Sequence, residues 1–338
     1  MRSEGWDWRK EMPLPLEKGL KFGIQSMYRR TEPATSAWQP SVEDGRTFVE
    51  LVDALGFDSL WVGDHLAFAL PMLDPLIQLA QAATYSDRLT LGTAVYLLPL
   101  RHPGPVAKQV ATLDLLSSGR FVFGVGVGGE FVTDYAVAGV PRGERGARLT
   151  ESIDVLRKLW RGERVSHQGR YFKFDDILMQ PPPLQSGGPP IWCGGRSDAA
   201  LHRAGRVAEG WMSYVVTPEM YRDGLRKIET TYDEAERHLA HFTTAHLVFA
   251  RLDKDYETAL NKATETLSIR YDMDFRAAAK RYCALGTADD IAAQLNGFHE
   301  AGVRHIVLDL VGDYEERIDH MRAFADSVLP RLRSLGSQ

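Results

Sequence analysis

A histidine next to an aspartate closes the run Leu60-Trp61-Val62-Gly63-Asp64-His65. An imidazole gives or takes a proton near neutral pH, and the adjoining carboxylate of Asp64 can set its charge or orientation. The plainer alternative is a loop histidine satisfied by its neighbours. The other nine of the ten histidines are less well placed. His102 follows an apolar run and can line the mouth of a site. His246 sits inside a run and reads as structural. His305 opens a run, at the end opposite to where catalytic loops lie, and His167 belongs to an inserted hairpin. His202, His238, His241, His299 and His320 fall in helical regions and read as solvated.

Three glycine-containing segments lie late in, or just after, other apolar runs. In Cys193-Gly194-Gly195-Arg196-Ser197-Asp198 two glycines let backbone approach a ligand, and the helix that follows points free N–H groups outward. Arg196 adds positive charge and Ser197 a hydroxyl, which suits a phosphate; the alternative is a tight turn capped by Ser197. Small residues in Gly92-Thr93-Ala94-Val95 leave space for a flat ring, although the pattern is also ordinary for a buried strand. Gly126-Val127-Gly128-Gly129-Glu130 brings backbone close to a ligand, with Glu130 as an acid, an anchor or a surface residue.

These residues need a frame that gathers them. Eight strand-like runs alternate with amphipathic stretches: Lys21–Gln25, Ser59–Val62, Leu89–Tyr96, Phe121–Val127, Pro190–Cys193, Gly210–Val215, Thr244–Ala250 and His305–Leu310. Most are almost continuously apolar, as strands buried on both faces are. The pattern predicts an α/β fold, a TIM (β/α)8 barrel, in which reactive groups sit where strands end. An open dinucleotide-binding sheet needs a glycine fingerprint after its first strand, and Gly23-Ile24-Gln25 supplies none. Ser41, Asp74-Pro75, Gly56, Gly119, Gly162 and Gly302 mark helix ends. Between the fourth helix and fifth strand an insertion, Gly162 to Pro189, carries a hairpin and Pro181-Pro182-Pro183. Residues 16–338 form one domain in this reading, after an N-terminal extension of residues 1–15.

The chain has 338 residues, a net charge of −5, 44% hydrophobic and 25% charged residues. Such a balance gives no basic surface for nucleic acid or an acidic membrane. Two distant cysteines, Cys193 and Cys283, form no disulfide framework and no metal knuckle, which points to a reducing cytoplasm. No apolar run reaches membrane-spanning length. The first strand lacks the paired histidines of metal-dependent barrel hydrolases, so no metal is expected even with Asp309 on the last.

The sites taken together resemble the luciferase-like superfamily of bacterial luciferase, alkanesulfonate monooxygenase and the dehydrogenases using the deazaflavin coenzyme F-420. The strings that carry the resemblance are residues 55–65, Leu91 to Val95 with Leu98 to Pro103, Ala111 to Asp114, and Ser118-Gly119-Arg120 leading into Gly124-Val125-Gly126. Arg145 to Trp160 and Pro189 to Gly195 complete them. The resemblance implies that His65 transfers protons beside the cofactor ring, with Asp64, Thr93 and Gly128 nearby. It implies a cis peptide at Ala94-Val95 behind the ring and the cofactor phosphate on Gly194 to Asp198. Val127 stands where bacterial luciferase has a phosphate-binding arginine. Glu130 resembles the catalytic glutamate of the deazaflavin sugar-phosphate dehydrogenases, in a loop one residue longer.

The reading that follows is hydride transfer between coenzyme F-420 and a small organic substrate. A second is a monooxygenase using O2 and reduced FMN, with a flavin reductase as partner; a third is a non-catalytic flavin-binding protein. The resemblance also implies a homodimer. Loops Ala67–Leu73, Glu130–Gly143 and Ser268–Tyr282 would choose the substrate. Arg270, Arg276 and Arg281 would face an anionic substrate or, more simply, solvent.

Overall fold

Parallel hydrogen-bond registers join the strands into a ring in this computed structural model, which describes residues 14–25, 40–68, 70–129 and 131–335. The strands are β1 (Lys21–Gln25), β2 (Ser59–Val62), β3 (Thr90–Thr93) and β4 (Phe121–Val125). After the hairpin of β5 (Arg164–Gln168) and β6 (Lys173–Leu178) come β7 (Ile191–Gly194), β8 (Gly210–Tyr214), β9 (Thr243–Leu252), β10 (Ala284–Gly286) and β11 (His305–Leu310). The ring runs β1-β2-β3-β4-β7-β8-β9-β11, and β11 pairs back onto β1 with Phe22 opposite Ile306. This is the closed eight-stranded TIM barrel that the alternating runs predict, with helices around it.

All eight predicted strands are present, three of them shorter than predicted, β8 by the single residue Val215. β3 ends at Thr93, because the chain leaves the ladder at Ala94-Val95 and Tyr96 returns for a single bridge to Val125. β4 stops at Val125, leaving Gly126 and Val127 as loop. Unforeseen is β10, three residues that extend the sheet beside the end of β9; so short a run has no readable period.

The inside of the barrel is filled below and open above. Trp61 and Trp192 stack within it at 4.9 Å, with the His305 ring edge-on to both at 5.5 Å. Glycines make their space: a Cβ on Gly92 would lie 2.1 Å from the Trp61 ring, and one on Gly210 2.6 Å from Trp192. His305 accepts or donates at 2.7 Å to Ser59 Oγ, as a core residue at the N-terminal end should. A second apolar layer between strands and helices includes Phe48, Leu79, Leu156 and Phe324.

Helix ends follow their predicted signals. Ser41 accepts from Asp44 N, Asp74 accepts from Leu76 N, and Gly56, Gly119, Gly162 and Gly302 all have positive φ. His320 departs from its expected solvated place: it is buried, and its Nε2 accepts from Leu252 N at 3.0 Å. The chain is packed on the barrel before residue 20, since Leu14 is buried and Leu16 bridges to Phe242. The hairpin between helix Arg145–Leu159 and β7 is clasped by Glu151, which accepts from Tyr171 N and Phe172 N. No helix among the described residues is long and apolar enough to cross a membrane.

Candidate active site

A cavity of about 360 Å³ opens at the C-terminal ends of the barrel strands. His65, Asp64, Ala94, Val95, Gly126, Val127, Gly128, Gly194, Gly195, Arg196 and Ser197 all line it. Thr93 does not: it is fully buried and its hydroxyl donates to Gly124 O at 2.7 Å. Glu130 lies outside the described residues. His102 caps helix Pro103–Leu116 by accepting from Gly104 N, and the hairpin contributes none of the described lining.

His65 is oriented by a carboxylate other than its neighbour. Its Nδ1 lies 2.7 Å from Asp134 Oδ2, and Asp134 Oδ1 accepts from Leu66 N and Ala67 N at 2.8 Å. A carboxylate partner puts the proton of neutral His65 on Nδ1 and leaves Nε2 as the exchanging nitrogen. Burial works against the charge of Asp134, but the His65 hydrogen bond and the two backbone donors outweigh it and hold the carboxyl below its usual range. Phe68 stacks on the imidazole at 4.4 Å and Phe131 meets it edge-on at 5.1 Å.

Asp64 is spent elsewhere, which corrects its expected role beside His65. It is 3% exposed, accepts from Leu97 N at 2.8 Å, and takes both terminal nitrogens of Arg101 in a forked pair. Arg101 also lies over the Tyr96 ring, 4.2 Å from its centre. Burial lowers the pKa of Arg101, and the Asp64 pair more than offsets this. The pair pins the segment Leu97–Arg101 to the end of β2 and so holds the chain that follows the Ala94-Val95 step.

Ala94-Val95 is a cis peptide, as the family resemblance implies. Val95 sits in a nest of glycines: a Cβ on Gly126 would lie 2.4 Å from Val95 Cγ2, and one on Gly194 2.8 Å from Val95 Cγ1. Three strand ends therefore close around one side chain, giving a low, flat wall. Beside it, Gly195 has φ +118, and Ser197 caps helix Asp198–Val207 by accepting from Ala200 N. The capping reading of Ser197 is thus realised, and the same turn faces the cavity. Arg196 is exposed and holds the carbonyls of Tyr214 and Val215 through one nitrogen. Arg145, at the start of the next-door helix Arg145–Leu159, also lines the cavity.

The floor contains residues that no motif announced. Gln25, Phe249 and Asp309 point inward from β1, β9 and β11, and Arg270 and Tyr271 reach in from the last turn of helix Tyr256–Tyr271. Arg270 is buried and donates to Asp309 Oδ2 at 2.9 Å, which overturns its solvated reading. Arg276 instead binds Asn261 on the surface, and Arg281 is exposed. Asp134 lies in the first turn of the short helix Val132–Ala138, in a stretch without a readable motif, 69 residues from its histidine.

The family model for luciferase-like monooxygenases matches residues 20–329. An F-420-dependent glucose-6-phosphate dehydrogenase of Microbacterium testaceum (strain StLB037) is 30% identical over 85% of this chain and 92% of its own. The oxygenase component of a flavin-dependent trigonelline monooxygenase of Acinetobacter baylyi is 28% identical over 61% of this chain and 54% of its own. Among solved structures, an F-420-dependent secondary alcohol dehydrogenase with an F-420-acetone adduct superposes with TM-score 0.79 at 21% identity, covering 93% of this chain and 99% of the other. A monooxygenase from Streptomyces bottropensis gives 0.78 at 26%, covering 92% and 99%. The barrel, the cleft at its strand ends and the match along almost the whole chain agree: this protein belongs to the luciferase-like monooxygenase family.

Proposed function

We propose that this chain is an oxidoreductase that moves a hydride between a deazaflavin of the coenzyme F-420 type and a small organic molecule. The observation that carries the reading is the His65–Asp134 pair, with an unspent imidazole nitrogen, in one cavity with a flat wall and a phosphate-suited turn. The residues present fit such a cofactor. The glycine nest around Val95 leaves no side chain over the wall, and Gly194 to Ser197 offer backbone and hydroxyl groups with Arg196 and Arg145 for a phosphate.

Once bound, the ring supplies the carbon that gives or accepts hydride. The protein does the rest. His65 Nε2 takes the proton of an alcohol substrate, or returns it to a carbonyl, and Asp134 stabilises the imidazolium formed. Phe68 and Phe131 keep that exchange out of bulk water. The choice of deazaflavin over FMN rests on the relative from Microbacterium testaceum, similar over nearly its whole length, and on Val127 in place of a luciferase-type arginine.

A reduced-FMN monooxygenase is the second reading, favoured by the trigonelline relative, and it brings a reductase as partner. In either case we propose a homodimer. Equilibrium titration with coenzyme F-420 and FMN separates the two readings. Saturable F-420 binding, with FMN much weaker, is expected; tight FMN binding without F-420 binding would overturn the deazaflavin.

A further inference from the structure

The His65 chemistry uses none of the polar groups on the cavity floor. Gln25 is 8% exposed and Arg270 5%. The Gln25 amide nitrogen faces Ala94 O at 3.3 Å, so its Oε1 points away, buried and without a partner. Arg270 binds Asp309 through one terminal nitrogen, while its Nε is buried and also without a partner. Leaving such groups unmet is costly, so a native protein keeps them where something else completes them. The register Ile24 opposite Leu308 brings Gln25 level with Asp309, and Asp309 pairs in register with Phe249. Gln25 and Arg270, the residues that carry this unmet acceptor and unmet donor, both line the cavity, as do Met72, Leu247 and Phe249.

We infer that this floor is a substrate subsite for an uncharged oxygen function, a hydroxyl above all, carried on an apolar body; the inference rests on the oxidoreductase reading above. A hydroxyl has the chemistry both groups lack: it can donate, as Gln25 Oε1 requires, and accept, as Arg270 Nε–H requires. The charge of Arg270 is already compensated by Asp309, so a phosphate or carboxylate would meet a carboxylate as well as a guanidinium, in a place that strips its water. Selection against anions is therefore built into the ion pair itself. Replacing a buried pair by apolar residues is often neutral or stabilising, so fold stability alone gives no reason for it here.

The test compares cyclohexanol with cyclohexyl phosphate, two probes of one shape and different charge. Both are measured by ligand-observed NMR on the full chain loaded with deazaflavin, so that the Gly194–Ser197 turn is filled. The wild type is expected to bind cyclohexanol about ten-fold more tightly or better. Gln25→Leu and Arg270→Met should each weaken cyclohexanol and leave the deazaflavin titration unchanged. Asp309→Asn, which frees the Arg270 charge, should raise affinity for cyclohexyl phosphate. Melting curves show which variants fold, and Gln25→Leu decides if the charged ones do not. A wild type that prefers the phosphate or binds neither probe overturns the inference. So does a Gln25→Leu variant that loses deazaflavin instead of cyclohexanol, for then the ring edge occupies the floor. If deazaflavin itself fails to bind, the cofactor reading falls, and cyclohexanol binding to the unloaded protein still tests the floor.

Discussion

His65 Nδ1 and Asp134 Oδ2 stand 2.7 Å apart, joined across 69 residues of chain, and the second oxygen of Asp134 holds the backbone that follows the histidine. One carboxylate therefore fixes both the ring and the loop that carries it. His65→Ala should lower kcat by about 10²–10⁴-fold with little change in cofactor affinity. Asp134→Asn keeps the shape but loses the charge that favours the imidazolium, and should lower kcat at least about ten-fold. Steady-state kinetics beside a cofactor titration check both; an unchanged kcat in His65→Ala would remove the histidine from the chemistry.

The same carboxylate has a sign that acid titration reveals. Because its folded pKa lies below the ordinary value of 3.8, Asp134 stabilises the fold fully above that value, and the contribution is lost as pH falls through the folded pKa. Asp134→Asn should therefore flatten the pH dependence of unfolding below about pH 4, measured by denaturant titration.

Three buried histidines set a second window, higher on the pH scale. Burial depresses His246 and His305 to about 3 and His320 to about 4. Each stays neutral in the fold while the unfolded chain takes a proton below about 6.5, so stability declines as pH drops from there toward 4. Replacing His305 by Gln should make that decline shallower, whatever it costs at neutral pH.

Asp64 and Arg101 form a buried forked pair, and breaking such a pair strands a charge. Asp64→Asn should destabilise the fold by about 3 kcal/mol, read from the shift in denaturant midpoint. Because the pair anchors Leu97 after the Val95 wall, cofactor affinity should fall as well.

At the phosphate-suited turn Arg196 is exposed, so its contribution is modest and screened. Arg196→Gln should weaken cofactor binding by about ten-fold at low salt and less at high salt. Gly194→Ala acts differently: its methyl would enter the space of Val95, and its loss of affinity should not depend on salt.

The barrel was legible because eight runs of Val, Ile, Leu and Phe recur at βα spacing, and a strand buried on both faces has almost no other composition open to it. His65 and Gly194 to Ser197 were legible for a related reason: they end such runs, where a barrel places its chemistry. β10 was too short to show a period. Thr93 looked like lining because small residues suit a cavity wall, but its hydroxyl was closer to the Gly124 carbonyl than to any ligand space.

Sequence alone determined the fold class, the family strings and the strand that ends just before His65, whereas β3 stops three residues sooner than its apolar run. Which carboxylate serves which base was decided only in three dimensions. Asp64 is the neighbour in sequence, yet successive residues leaving a strand point apart, so Asp64 turned to Arg101 and His65 to Asp134. Arg270 and Asp309 were likewise named in the sequence with nothing to join them. Only closure of the ring, with β11 against β1 and the end of helix Tyr256–Tyr271 bringing Arg270 onto Asp309, turned a surface-type arginine into a residue of the site.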